Sequence, residues 1–120
     1  MTKNFSRKEF ACKCGCGFDT INPKIVAMCQ ELRDAMNEQI RVTSGCRCEK
    51  RNKEAGSTSK NHIHGNAADL VCASGHVALW FKAKELHAKG GLKDLELCLL
   101  EGSWVHIDCD RKRSQIFQKI

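Results

Sequence analysis

Three side chains in this sequence have the types and the placing to hold a metal ion. His62 and Asp69 bracket the stretch His62-Ile63-His64-Gly65-Asn66-Ala67-Ala68-Asp69, and His106 lies far downstream in Trp104-Val105-His106-Ile107-Asp108. Neutral imidazole and carboxylate are good zinc ligands, and a catalytic zinc keeps three protein ligands and one position open for water. We read His62, Asp69 and His106 as such a set and leave His64 outside it. Each residue alone has an ordinary alternative: a loop histidine, a capping or ion-paired aspartate, a strand histidine satisfied by its neighbours. Their joint occurrence with the motif residues between them is harder to reach by accident than any one motif.

A second group of metal-capable side chains lies near the start. The chain has nine cysteines. Its basic opening is followed by no apolar stretch, so we read no secretory signal, and disulfides are not the default. Cys29, Cys72 and Cys98 sit in apolar patterns and read as small core residues. Cys12, Cys14 and Cys16 form Cys-Lys-Cys-Gly-Cys-Gly, which lacks the Cys-x-x-Cys spacing of common zinc sites and needs a partner. Cys46 and Cys48 are the nearest candidates. No Cys/His pairing pattern points to a thiol nucleophile.

The elements that must position these groups follow from periodicity. Residues 3–20 read as an irregular segment anchored by Phe5 and Phe10. Asn22-Pro23 is a helix start, and Ile25, Met28, Cys29, Leu32, Ala35 and Met36 recur at helical spacing, so a helix runs to about Asn37. Ile40 and Val42 alternate with polar residues and predict a half-buried strand to Ser44. Glu49–Ala55 is polar and reads as a short helix, and residues 56–59 form a loop. Ala67–Cys72 reads as a strand with Ala67, Asp69 and Val71 on one face. Asp69 is then a carboxylate inside an apolar strand, costly unless paired or metal-bound. Ser74-Gly75 precedes a second helix with Val77, Leu79, Trp80, Phe81, Ala83, Leu86 and Ala88, stopped at Lys89-Gly90-Gly91. His87 in its last turn suits the helix dipole rather than a metal. Leu95–Leu100, a turn at Glu101-Gly102-Ser103, and Trp104–Cys109 read as a hairpin, with His106 and Asp108 on one face. We expect an α+β fold: one small domain over residues 1–120, two main helices on an antiparallel sheet of about four strands, and a basic tail over residues 110–120.

Composition bounds the partners. One hundred and twenty residues make one domain with one core, and no apolar run spans a bilayer. The net charge of +6 favours an anionic partner such as a cell-wall polymer or nucleic acid. With no tyrosine, two tryptophans and five phenylalanines, a stacking surface for nucleic acid is poor. We expect a monomer made in the cytoplasm that reaches its target after release.

Ser44-Gly45-Cys46-Arg47-Cys48, then His62-x-x-Gly65-x-Ala67-Ala68-Asp69, then Trp104-Val105-His106-Ile107-Asp108 resembles a family of zinc peptidases. These are the D-alanyl-D-alanine carboxypeptidases and L-alanyl-D-glutamate endopeptidases that cut peptidoglycan peptides, often encoded by phages. The opening Phe10-Ala11-Cys12-Lys13-Cys14-Gly15-Cys16-Gly17 is similar to the start of phage-type members, and the likeness covers residues 5–109. The resemblance implies Zn2+ on His62, Asp69 and His106, a small α+β domain with the zinc on its sheet face, and peptidoglycan peptides as partners. It implies that Arg47 holds the substrate or the developing oxyanion. It also implies action on the cell wall after release or as part of a phage particle.

The chain departs from the family pattern at three places: the family's Ser-x-His before the Gly turn is here Ser59-Lys60-Asn61-His62, and two further positions differ. Some members carry an acid three residues before the last histidine, where this chain has Ser103, and Cys46 stands where an aromatic residue is usual. Glu101, in the turn, and Asp108, on the His106 face, are therefore the candidates for a general base. The function expected is zinc-dependent hydrolysis of peptidoglycan stem peptides or cross-links. The alternatives are a zinc-containing wall-binding module without turnover and, less favoured, a basic nucleic-acid-binding protein with a cysteine metal site.

Overall fold

The first long helix, α1 (Pro23–Met36), starts where the sequence requires: the Asn22 side chain accepts from the Lys24 amide at 2.9 Å and Pro23 takes the first helical position. It ends at Asn37, whose backbone is left-handed (φ 54°). Strand β1 (Ile40–Ser44), short helix α2 (Glu49–Glu54), strand β2 (Ala67–Cys72) and helix α3 (His76–Ala88) follow. Strands β3 (Leu97–Leu100), β4 (Val105–Asp108) and β5 (Phe117–Lys119) complete the chain. This computed structural model describes residues 2–57 and 60–120; Thr58 and Ser59, part of the loop expected between α2 and β2, lie outside the described residues.

The strands make one five-stranded sheet in the order β1-β2-β4-β3-β5. The first four pair antiparallel, as expected. The fifth was not anticipated. Phe117–Lys119, in the basic tail, lies parallel to β3 with Cys98 opposite Phe117. Phe117 packs edge-on against Trp80 and His87 of α3, which gives the tail an apolar anchor.

Alternation gives the sheet two unlike faces. Ala68, Leu70, Cys98, Val105 and Ile107 point to the helices and are fully buried. Each large aliphatic group of this kind contributes about 1.5–3 kcal/mol. Opposite them in the same strands, Ala67, Asp69, Leu97, Leu99, His106 and Asp108 share the other face. The helices thus seal one side and leave the other for chemistry.

On α3 the expected apolar face was too wide. Leu79, Trp80 and Ala83 are buried, but Val77 and Phe81 are 47% and 52% exposed. At 100° per residue, Val77, Phe81 and Ala88 fall on the side away from Leu79 and Ala83. The Trp80 indole N–H donates to the Cys98 carbonyl at 3.2 Å and fixes α3 on β3. Residues 7–10 form a 3-10 turn, and Phe5 and Phe10 anchor the N-terminal segment in the core as expected. Among the described residues, no helix is long and apolar enough to cross a membrane.

Candidate active site

Asp69 and His106 face each other across β2 and β4. His62 comes from the turn before β2. That turn closes on Gly65, whose backbone is left-handed (φ +72°) and where a Cβ would lie 2.0 Å from the Thr20 carbonyl oxygen. Only glycine fits there. The Asn22 amide donates to the Gly65 carbonyl at 2.8 Å, so the start of α1 holds the turn.

His62 Nδ1 is 2.6 Å from the Gly45 carbonyl oxygen. A carbonyl only accepts, so Nδ1 carries a proton and Nε2 is the ring nitrogen left to face the other donors. Nε2 lies 3.5 Å from Asp69 Oδ1, and His106 Nδ1 lies 2.9 Å from the same oxygen. The ligand atoms of His62, Asp69 and His106 are all within 4.8 Å of one another. Two imidazole nitrogens and one carboxylate oxygen form a donor set that zinc accepts. The geometry therefore brings together the three residues singled out by type and spacing. His64 is exposed and outside the group.

Around the donors stands a ring of positioning contacts. Arg47 donates from one terminal nitrogen to Asp69 Oδ2 at 3.2 Å, from Nε to Ser44 Oγ at 3.0 Å, and from its other terminal nitrogen to Asn52 Oδ1 at 3.4 Å. A bulge in β1 arranges this: the register shifts between Val42 and Ser44, so that Ser44 rather than Thr43 stands opposite Asp69. His106 Nε2 is 3.0 Å from Asp108 Oδ2. Asp108, fully buried, also accepts from Asn61 Nδ2 at 3.1 Å and from Arg113 at 2.8 Å.

These contacts set the charges. Burial works against the ionised form of Asp69, but hydrogen bonds from His106 and His62 hold its carboxyl well below the usual range. Burial likewise opposes ionisation of Asp108, and His106 and Arg113 outweigh it and lower its pKa. For His106, burial would lower the pKa, yet Asp108 on one side and Asp69 on the other raise it to about 9. Without a metal, the ring holds a proton on each nitrogen.

The donors open into a cleft of about 540 Å³. Leu97, Leu99 and Trp104 make an apolar wall, and Arg47, Glu101 and Arg113 reach its lining. Glu101 continues the Leu97, Leu99 alternation past the end of β3, and its amide donates to the Trp104 carbonyl at 3.0 Å. Among the described residues its carboxylate makes no hydrogen bond or ion pair. The two base candidates are thus placed differently: Asp108 is committed to His106, Asn61, Arg113 and the Asp110 amide, and Glu101 stands in the cleft.

The reading of the chain missed Ser44, Gly45, Asn52, Asn61 and Arg113 as parts of this site. Ser44 and Gly45 lie in the motif that contains Arg47. Arg113 lies in a basic cluster with no feature that marks it out, Asn61 meets Asp108 47 residues away, and Asn52 sits in a polar stretch that does not single it out.

The sequence profile of a protein family described as Peptidase M15 matches residues 3–108. The matched span contains the three donors with Arg47, Glu101 and Asp108, and stops short of Arg113 and β5. No curated protein sequence matches the chain.

Proposed function

The chain belongs to the Peptidase M15 family of zinc-dependent metallopeptidases, and from that premise we propose that it hydrolyses peptide bonds in the stem peptides or cross-links of peptidoglycan. The observation that carries the reading is the convergence of His62 Nε2, Asp69 Oδ1 and His106 Nδ1 at the floor of a cleft with one apolar wall. The excess of positive charge suits an anionic wall polymer.

His62, Asp69 and His106 would hold zinc, which supplies a Lewis acid for the scissile carbonyl and lowers the pKa of water to about 7. Gly45 fixes the His62 tautomer through its carbonyl. Arg47 orients Asp69, and Asp108 orients His106, each by a hydrogen bond to the atom that does not face the other donors. Glu101 is the general base in this reading: it takes a proton from the attacking water and passes it to the leaving amine. Leu97, Leu99 and Trp104 seat the apolar part of the peptide and exclude water.

The test is mass spectrometry of purified peptidoglycan incubated with the protein, with and without chelator. Cleavage that chelator abolishes supports the proposal, and the fragment masses identify the bond and separate carboxypeptidase from endopeptidase action. Wall binding without new fragments would overturn it in favour of a binding module.

A further inference from the structure

We propose that Cys12, Cys14, Cys16 and Cys48 form a second metal centre, a closed tetrathiolate site for one structural zinc ion. The four sulfur atoms all lie within 4.8 Å of one another. Cys12 and Cys14 are 3.4 Å apart, Cys14 and Cys48 3.6 Å, and Cys12 and Cys48 3.8 Å. Four sulfurs bound tetrahedrally to zinc at ~2.3 Å stand about 3.8 Å from each other. A disulfide would bring one pair to about 2 Å and leave the others out. Here the three spacings among Cys12, Cys14 and Cys48 are near-equal, and Cys16 lies within 4.8 Å of each, so no pair is singled out.

The surroundings suit thiolates. The Cys48 amide donates to Cys12 Sγ at 3.4 Å, and the Arg51 amide donates to Cys48 Sγ at 3.4 Å. Such bonds orient and stabilise metal-bound sulfur. Gly15 and Gly17 take left-handed backbone (φ +82° and +87°) with open space around them, so their role is to turn the chain rather than to make room. In an extended chain alternate residues share a face but stand about 7 Å apart, and the turn closed by the Gly15 amide on the Cys12 carbonyl draws the sulfurs together. Lys13, Lys50, Arg51 and Lys53 flank the ligands in sequence and offset the double negative charge of a zinc tetrathiolate. Cys46, the other candidate for a partner, is buried in the core instead.

Four protein ligands leave no position for substrate, so the role is structural. The centre joins the N-terminal loop to the residue after Arg47. The adjoining segment is already clamped: the Cys46 amide donates to the Phe10 carbonyl at 2.8 Å, and the Arg47 amide to the His62 carbonyl at 3.0 Å. A metal at the cysteines therefore braces the stretch that presents the Gly45 carbonyl to His62 and the Arg47 guanidinium to Asp69.

The test reads metal spectra and does not depend on peptidase activity. The full-length His62→Ala variant, whose histidine site is broken, is reconstituted with Co2+. It should retain about one equivalent of cobalt per chain, with the thiolate-to-cobalt charge-transfer absorption and strong ligand-field bands of a tetrahedral thiolate site. Adding Cys14→Ser or Cys16→Ser, both at exposed positions, should abolish or shift those bands. If these variants fail to fold, thiol alkylation of the unmodified protein gives the answer: zinc should slow labelling of Cys12, Cys14, Cys16 and Cys48 at least about 10-fold relative to chelated protein. Cobalt bound by His62→Ala without thiolate charge transfer, no cobalt bound, or labelling unaffected by zinc would each overturn the proposal.

Discussion

Asp108→Asn separates a positioning carboxylate from a catalytic base. Asp108 accepts from Asn61 and Arg113 and faces His106 Nε2 at 3.0 Å. With His106 coordinating through Nδ1, Nε2 carries a proton and needs an acceptor. Asparagine keeps one oxygen and exchanges the other for an N–H2 donor. Turned one way, that donor meets the Nε2–H; turned the other, it meets the Arg113 guanidinium. Either choice leaves a buried donor without an acceptor, at a cost of about 1–3 kcal/mol. Losing an outer contact to a ligand histidine lowers metal affinity about 10–100-fold, or roughly 1.4–2.7 kcal/mol, so the two routes agree. Competition titration against a chromophoric chelator should show zinc affinity weakened by that factor. Turnover with zinc in excess should stay within about 10-fold of the parent protein. Glu101→Gln should do the reverse: unchanged zinc affinity and turnover lowered about 100-fold or more. Asp108→Asn that binds zinc as tightly as the parent but no longer turns over would refute the reasoning and make Asp108 the base.

Two further outcomes are expected. Chelated protein should become less stable as pH rises: the folded chain binds the His106 proton more tightly (pKa about 9) than the unfolded chain (about 6.5). That stabilisation is complete below about pH 6.5 and is lost as pH rises through about 9, so Tm should fall across this interval, and a flat or rising Tm contradicts the pairing. Arg47→Lys replaces a fork that reaches Ser44, Asn52 and Asp69 with one ammonium, and zinc affinity should fall about 10-fold in the same titration. Unchanged affinity would place the role of Arg47 on the substrate instead.

Much of the scaffold could be read before any coordinates, for identifiable reasons. The bounds of α1 are written in Asn22-Pro23 and in an apolar stripe of the right period, and β2 runs over the residues that alternation marked. Asp69 stood out because an acid inside an apolar strand needs a partner. Strand β5 was hidden because it is three residues long, sits in a polar tail, and pairs with β3 about twenty residues back, where local pattern carries no information. The role of Asp108 was half visible: parity put it on the His106 face, but parity cannot say that Arg113 and Asn61 already engage it. The cysteine cluster was split across a gap of 36 residues between Cys12 and Cys48. Choosing Cys48 over Cys46 needed the fold, because only packing shows that Cys46 belongs to the core.

The bulge at Thr43 also bears on what the margins of the sheet offer a second chain. A sheet that ends in a long, flat strand offers its unpaired amides and carbonyls to any second chain. Here one margin is β1, five residues interrupted by the bulge, carrying the exposed Arg41 and touched by the 3-10 turn at residues 7–10. The other is β5, three residues long with exposed Lys119. Neither gives an incoming strand an uninterrupted template. Deleting Thr43 would straighten β1 into a regular margin, so besides displacing Ser44 from Asp69 it would remove a guard against self-association, and light scattering would register the change even where zinc binding survived.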